Sequence, residues 1–141
     1  MTEIEIMYRQ LAPYIKNFFD QYSSLWGVPF HDVYLTCRYR PGVNMDEPNA
    51  ALVEVRVLNK DFYENVSDKE GKKQMDESTK TLLSQMFPIF KDEVIETAKE
   101  WKCTNHDVYL MVFYEKGKEA TADTLGLQLR TRTDKKLIKN V

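Results

Sequence analysis

His31-Asp32-Val33-Tyr34-Leu35 and His106-Asp107-Val108-Tyr109-Leu110 are the same five residues, 75 positions apart in one chain. They offer two kinds of chemistry. Two histidines related by a two-fold axis could share one metal ion, or work as an acid/base pair across a cleft, because imidazole changes charge near neutral pH. His31, Asp32, His106 and Asp107 are the candidates for such a site. The tyrosines offer a surface instead. Aromatic rings stack planar groups, and arginines beside them contact anions or stack in turn.

The histidine chemistry lacks its usual company. A paired-histidine phosphoesterase needs Ser or Thr two places after each His, and Val33 and Val108 stand there. Adjacent His and Asp on a strand point to opposite faces, so one site would not use both. A plainer role is preferred, in which these side chains satisfy loose backbone groups where a helix gives way to a strand. The chain has no CxxC or Cys/His ligand spacing, Gly-rich phosphate loop, nucleophile elbow or HExxH. No metal and no cofactor is therefore expected.

The 75-residue register extends well beyond the five-residue string. Gln10 meets Gln85, Pro13 meets Pro88, Lys16 meets Lys91, Trp26 meets Trp101, Tyr39 meets Tyr114, Gly42 meets Gly117, and Asn65-Val66 meets Asn140-Val141. The chain reads as an internal duplication, with copies at residues 1–66 and 76–141 and a polar, Lys-rich linker at 67–75. A fused former homodimer should keep a pseudo-two-fold axis. Each copy is small enough to be marginal alone, so both should share the core of one domain spanning residues 1–141.

Each copy reads helix, strand, strand. In the first, Ile4, Met7, Tyr8, Leu11, Ile15, Phe18, Phe19, Tyr22 and Leu25 recur at helical spacing, and Thr2 with Glu5 fits a capping box. The second helix uses Leu82, Leu83, Met86, Phe90, Val94, Ala98 and Trp101. Pro13 and Pro88 should either bend both helices over one curved sheet or mark a fresh start in each. Strand one is expected near 31–40 and its copy near 106–115, with Val33, Leu35, Cys37, Tyr39 and Val108, Leu110, Val112, Tyr114 inward. Strand two is expected near 50–58, with Ala51, Val53, Val55 and Val57 inward. Its copy near 123–132 turns Leu125, Leu127 and Leu129 inward, slipped by one against the repeat. Residues 40–49 read as a hairpin loop, with a shorter counterpart around Gly117.

The expected fold is α+β: a two-layer αββαββ sandwich with a four-stranded antiparallel sheet and both helices on one face. The greater apolarity of strand one and its copy favours the strand order 2-1-3-4. The order 1-2-4-3 also fits the pattern. Cys37 aligns with Val112 and Cys103 with Val28, an exchange of one small apolar group for another that suits reduced, structural thiols.

The sheet face away from the helices carries the functional reading. Parity places Tyr34, Arg38, Arg56, Tyr109, Met111, Phe113, Arg130 and Arg132 there, with Thr36, Arg40, Leu52, Glu54, Leu58, Glu115 and Gln128. The leading expectation is a non-enzymatic binding or assembly protein that uses this face to form a homo-oligomer or to hold another protein. The second is a nucleotide-binding protein or small enzyme with its site near His31 and His106. The third is a single-stranded nucleic-acid binder, set lower because a net charge of −2 removes the usual electrostatic drive. The basic tail carrying Arg132, Lys135, Lys136 and Lys139 reads as solvated. With no apolar run long enough to span a bilayer and no signal peptide, a cytoplasmic protein without membrane contact is expected.

Overall fold

Strict alternation of apolar and polar residues builds the strands, and the 3.6-residue apolar stripe builds the helices laid against them. The computed structural model describes residues 3–40, 51–60, 63–65 and 87–141. In chain order it contains α1 (Glu3–Trp26), β1 (Val33–Tyr39), β2 (Ala51–Val57), β3 (Tyr63–Asn65), α2 (Lys91–Trp101), β4 (Val108–Tyr114), β5 (Leu125–Thr131) and β6 (Ile138–Asn140). The fold is α+β. Among the described residues the strands form one antiparallel sheet in the order β3-β2-β1-β4-β5-β6.

The sheet therefore has six strands rather than the expected four. The additional two, β3 and β6, are three residues each and sit at the edges. Three residues are too few to show alternation, so the pattern does not announce them. The four long strands take the order 2-1-3-4. The central pair is covered on both faces: Thr36 and Met111, on the side away from the helices, are 7% and 6% exposed. The expected loop at 40–49 beyond Arg40, the linker at 67–75, the Thr2 cap and Leu82, Leu83 and Met86 lie outside the described residues.

Positions 75 apart occupy matching places. At the centre of the sheet Leu35 opposes Val112, Thr36 opposes Met111 and Cys37 opposes Leu110. Thr36 thus faces the residue 75 positions further on. Val33 opposes Val57 while Val108 opposes Thr131, one residue short of the 75-residue register. This is the slip that the inward leucines of β5 require. The helices also end alike, at Trp26 and Trp101. The next residues, Gly27 and Lys102, are left-handed at φ 63° and 55°. The N–H groups of Val28 and Cys103 then donate back to the carbonyls of Ser23 and Ala98 at 3.1 and 3.0 Å, closing both helices in the same motif.

The two prolines behave differently. α1 runs through Pro13, held on either side by buried Leu11, Ala12 and Ile15. Past Pro88 the helical residues 87–89 stop at Phe90, whose ψ is 2°, and α2 begins at Lys91. The fresh start expected near a proline is seen after Pro88, and α1 continues through Pro13.

One core lies between the helices and one sheet face. Leu11, Ile15, Phe18, Phe19 and Tyr22 of α1 and Val94 and Ala98 of α2 meet Leu35, Val55, Leu110, Val112, Leu127 and Leu129. Cys37 and Cys103 are free thiols, the first buried. No helix among the described residues is long and apolar enough to cross a membrane.

Two core tyrosines at matching positions are unlike. The Tyr114 hydroxyl donates to the Ala12 carbonyl at 2.5 Å, whereas the buried Tyr39 hydroxyl has no partner among the described residues. Tyr114→Phe should therefore cost about 1–2 kcal/mol, while Tyr39→Phe should be neutral or slightly stabilising, because only the first discards a hydrogen bond. Urea denaturation of the two variants checks this. Equal losses would show that the two hydroxyls carry the same weight.

Candidate functional site

The histidines are not brought together. His31 and His106 lie in short 3-10 turns, Phe30–Asp32 and Asn105–Asp107, that feed β1 and β4. These strands are antiparallel, so their starting turns stand at opposite ends of the central pair, on the order of 20–30 Å apart by strand rise. A shared metal or an acid/base pair is ruled out by that separation. His and Asp also sit in a turn rather than on a strand, so strand alternation does not govern them. His31 Nε2 donates to the Lys118 carbonyl at 2.9 Å, and Asp32 pairs with Lys116 at 3.0 Å. Asp107 accepts from the Thr104 hydroxyl at 2.7 Å. The Asp32-Lys116 and His31-Lys118 contacts tie the turn ahead of β1 to the loop that follows β4. Among the described residues no group of three or more His, Cys, Asp or Glu side chains is placed to hold a metal.

The chemistry concentrates on the outer sheet face. Its register forms a lattice in which Tyr34 stands beside Arg56 and Tyr109 beside Arg130. The pairs are counterparts, and each arginine is held in the same way. Arg56 bonds Glu54 at 3.0 Å, and Arg130 bonds Gln128 Oε1 through Nε and Nη2 at 3.2 and 2.8 Å. Gln128 is fixed in turn by Asn140 on β6 at 2.9 Å. The substantive difference is charge, since a carboxylate on one side is an amide on the other.

A second difference lies in the neighbouring cross-strand pair. Arg38 opposes Leu52 in one half, while the equivalent Phe113 opposes Gly126 in the other. The Phe113 ring lies directly over Gly126, where a Cβ would collide with it. A cavity of about 340 Å³ on this face is lined from both halves, by Tyr34, Thr36, Arg38, Glu54 and Arg56 of the first and Tyr109, Thr131, Arg132 and Lys135 of the second. Arg38, Arg56, Arg132 and Lys135 surround it, four cations against one carboxylate. Glu54 is 7% exposed and already bonded to Arg56. Arg38, Arg132 and Lys135 form no ion pair among the described residues.

The local electrostatics follow from this crowding. Burial pushes the Arg38 pKa down, Arg132 and Arg56 push it the same way, and Glu54 and Asp107 oppose them. Its Nη1 is buried without a hydrogen-bond partner among the described residues. Burial raises the Tyr34 pKa, with a smaller lowering from Arg56. An acceptor with negative charge would relieve both the unmet donor and the mutual repulsion of the guanidinium groups.

Of the eight outer-face residues singled out by parity, Tyr34, Arg38, Arg56, Tyr109 and Arg132 line the hollow. Met111 is packed beneath its neighbours, Phe113 lies over Gly126, and Arg130 is engaged by Gln128. Arg132, Lys135, Lys136 and Lys139 are all exposed, as a solvated tail requires, and Arg132 and Lys135 also stand at the rim of the hollow. The concentration of basic residues after Arg130 is the one sequence signal that pointed to Lys135. No protein-family model, curated protein or solved structure matches the chain.

Proposed function

We propose that the chain is a non-enzymatic binding protein that works through its outer sheet face, where the hollow receives a negatively charged group of its partner. The observation that carries this reading is the gathering of Arg38, Arg132 and Lys135 around two tyrosine walls with one, already paired, carboxylate. Tyrosine and arginine favour interfaces because both combine apolar area with directed hydrogen bonds. The matched registers and helix ends support reading the chain as a fused pseudo-dimer whose halves differ on this face, with Arg38 against Leu52 in one and Phe113 over Gly126 in the other. A second copy of the chain remains the other partner of interest, since the two Tyr–Arg pairs would present one surface in both directions to a two-fold mate.

Tyr34→Glu together with Tyr109→Glu should abolish capture of an anionic partner, at least a hundredfold in affinity, while the core face stays intact. Light scattering coupled to size exclusion, run on parent and double variant, tests the self-association form of the reading. An unchanged oligomeric state together with unchanged partner capture would make this face ordinary surface.

A further inference from the structure

We propose that the hollow is a mononucleotide site, in which a nucleoside monophosphate lays its base against Tyr34 and Tyr109 and its phosphate among Arg38, Arg132 and Lys135. This rests on the outer-face reading and names its ligand. Three observations converge on that class. The cavity, about 340 Å³, is at the small end of the range for small-molecule sites, roughly 300–1,000 Å³. It suits one nucleotide better than a strand or a folded surface. Its walls supply aromatic faces, which a bare inorganic anion does not use and a heteroaromatic base does. Its charge also suits a dianion: Arg38, Arg132 and Lys135 form no ion pair among the described residues, and the one carboxylate of the lining, Glu54, is bonded to Arg56.

Glu54 distinguishes a nucleotide site from a general anion site. A carboxylate in a hollow meant only for phosphate would repel the ligand. Here Oε1 is occupied by Arg56, which leaves the other oxygen to accept an N–H of a base edge. The counterpart Gln128 shows that an amide at this position can hold the neighbouring arginine equally well. Glu54→Gln should therefore keep Arg56 in place, remove the negative charge, and replace the free acceptor with a donor.

The test is calorimetric titration of the full chain with GMP, inorganic phosphate and guanosine. GMP carries an N–H-rich edge on one end and a dianion on the other. It should bind saturably and at least tenfold more tightly than either phosphate or guanosine. Arg38→Gln and Lys135→Gln should each weaken GMP at least fivefold. Lys135 sits in an exposed turn, so its loss leaves the sheet intact. Glu54→Gln should weaken GMP and strengthen phosphate, two changes of opposite sign that a merely structural role would not produce. Equal affinity for GMP and phosphate would reduce the hollow to an anion site and overturn the proposal, as would same-sign effects of Glu54→Gln. If GMP fails to bind but a poly-glutamate peptide binds in an Arg38-dependent way, the nucleotide proposal falls and the outer-face reading stands. If neither binds and Tyr34→Glu/Tyr109→Glu changes nothing, both fall.

Discussion

Leu110→Ala should lower the stability of the fold by about 2–5 kcal/mol, and Leu35→Ala by a similar amount. Both leucines are fully buried, at 0% exposure, in the two central strands where helices and sheet meet. Removing three carbons there loses transfer free energy and leaves a cavity that strands paired on both sides cannot collapse into. His31→Ala and His106→Ala, in half-buried turns at the sheet ends, should cost well under half as much. Urea denaturation of the four variants decides the matter. A loss from His31→Ala equal to that from Leu110→Ala would mean that the contacts to the 115–118 loop, and not the core, dominate cohesion between the halves.

Alkaline pH should unfold the protein through its buried thiol. Burial pushes the Cys37 pKa from its ordinary 9.0 up to about 12. Between those values the thiol is ionised in the unfolded chain and protonated in the folded one. The unfolded state then binds fewer protons, so stability is full below pH 9 and falls as pH rises towards 12. The slope for one group is about 1.4 kcal/mol per pH unit, or about 4 kcal/mol across the window. Tyr39, raised by burial from 10.0 to about 12, adds to the loss above pH 10. Cys37→Val, which installs the residue type found at the equivalent position 112, should delay the onset from pH 9 to pH 10. Urea midpoints of parent and variant, followed from pH 7 to 11, should diverge above pH 9. Parallel curves would show that the thiol is not the group being titrated.

How much of this was legible beforehand varies with the range of the interaction. The inward set of β1, β4 and β5 follows from alternation alone, and so does the one-residue slip of β5, because side-chain direction along a strand has a period of two. Matched helix ends at Trp26 and Trp101 follow from the 75-residue register. The small edge strands were not legible. β3 and β6 exist because β2 and β5 each offer an unpaired edge, not because three residues have any preference of their own. Nor were the histidine turns legible as such, since a three-residue 3-10 segment ahead of a strand has no period to read.

The sequence by itself determined the local units: two helices of apolar stripe and strands of alternating apolar and polar residues. These depend on periodicities of a few residues and survive being read one segment at a time. Only the tertiary structure decided which of the outward residues meet. The antiparallel pairing of β1 with β4 sent the two histidine turns to opposite ends of the sheet. The same pairing brought Arg38 of the first half within Coulombic reach of Arg132 in the second. Neighbours across a sheet are set by register between distant segments, and that register gathered Tyr34 and Arg38 of the first half with Tyr109, Arg132 and Lys135 of the second around one charged hollow.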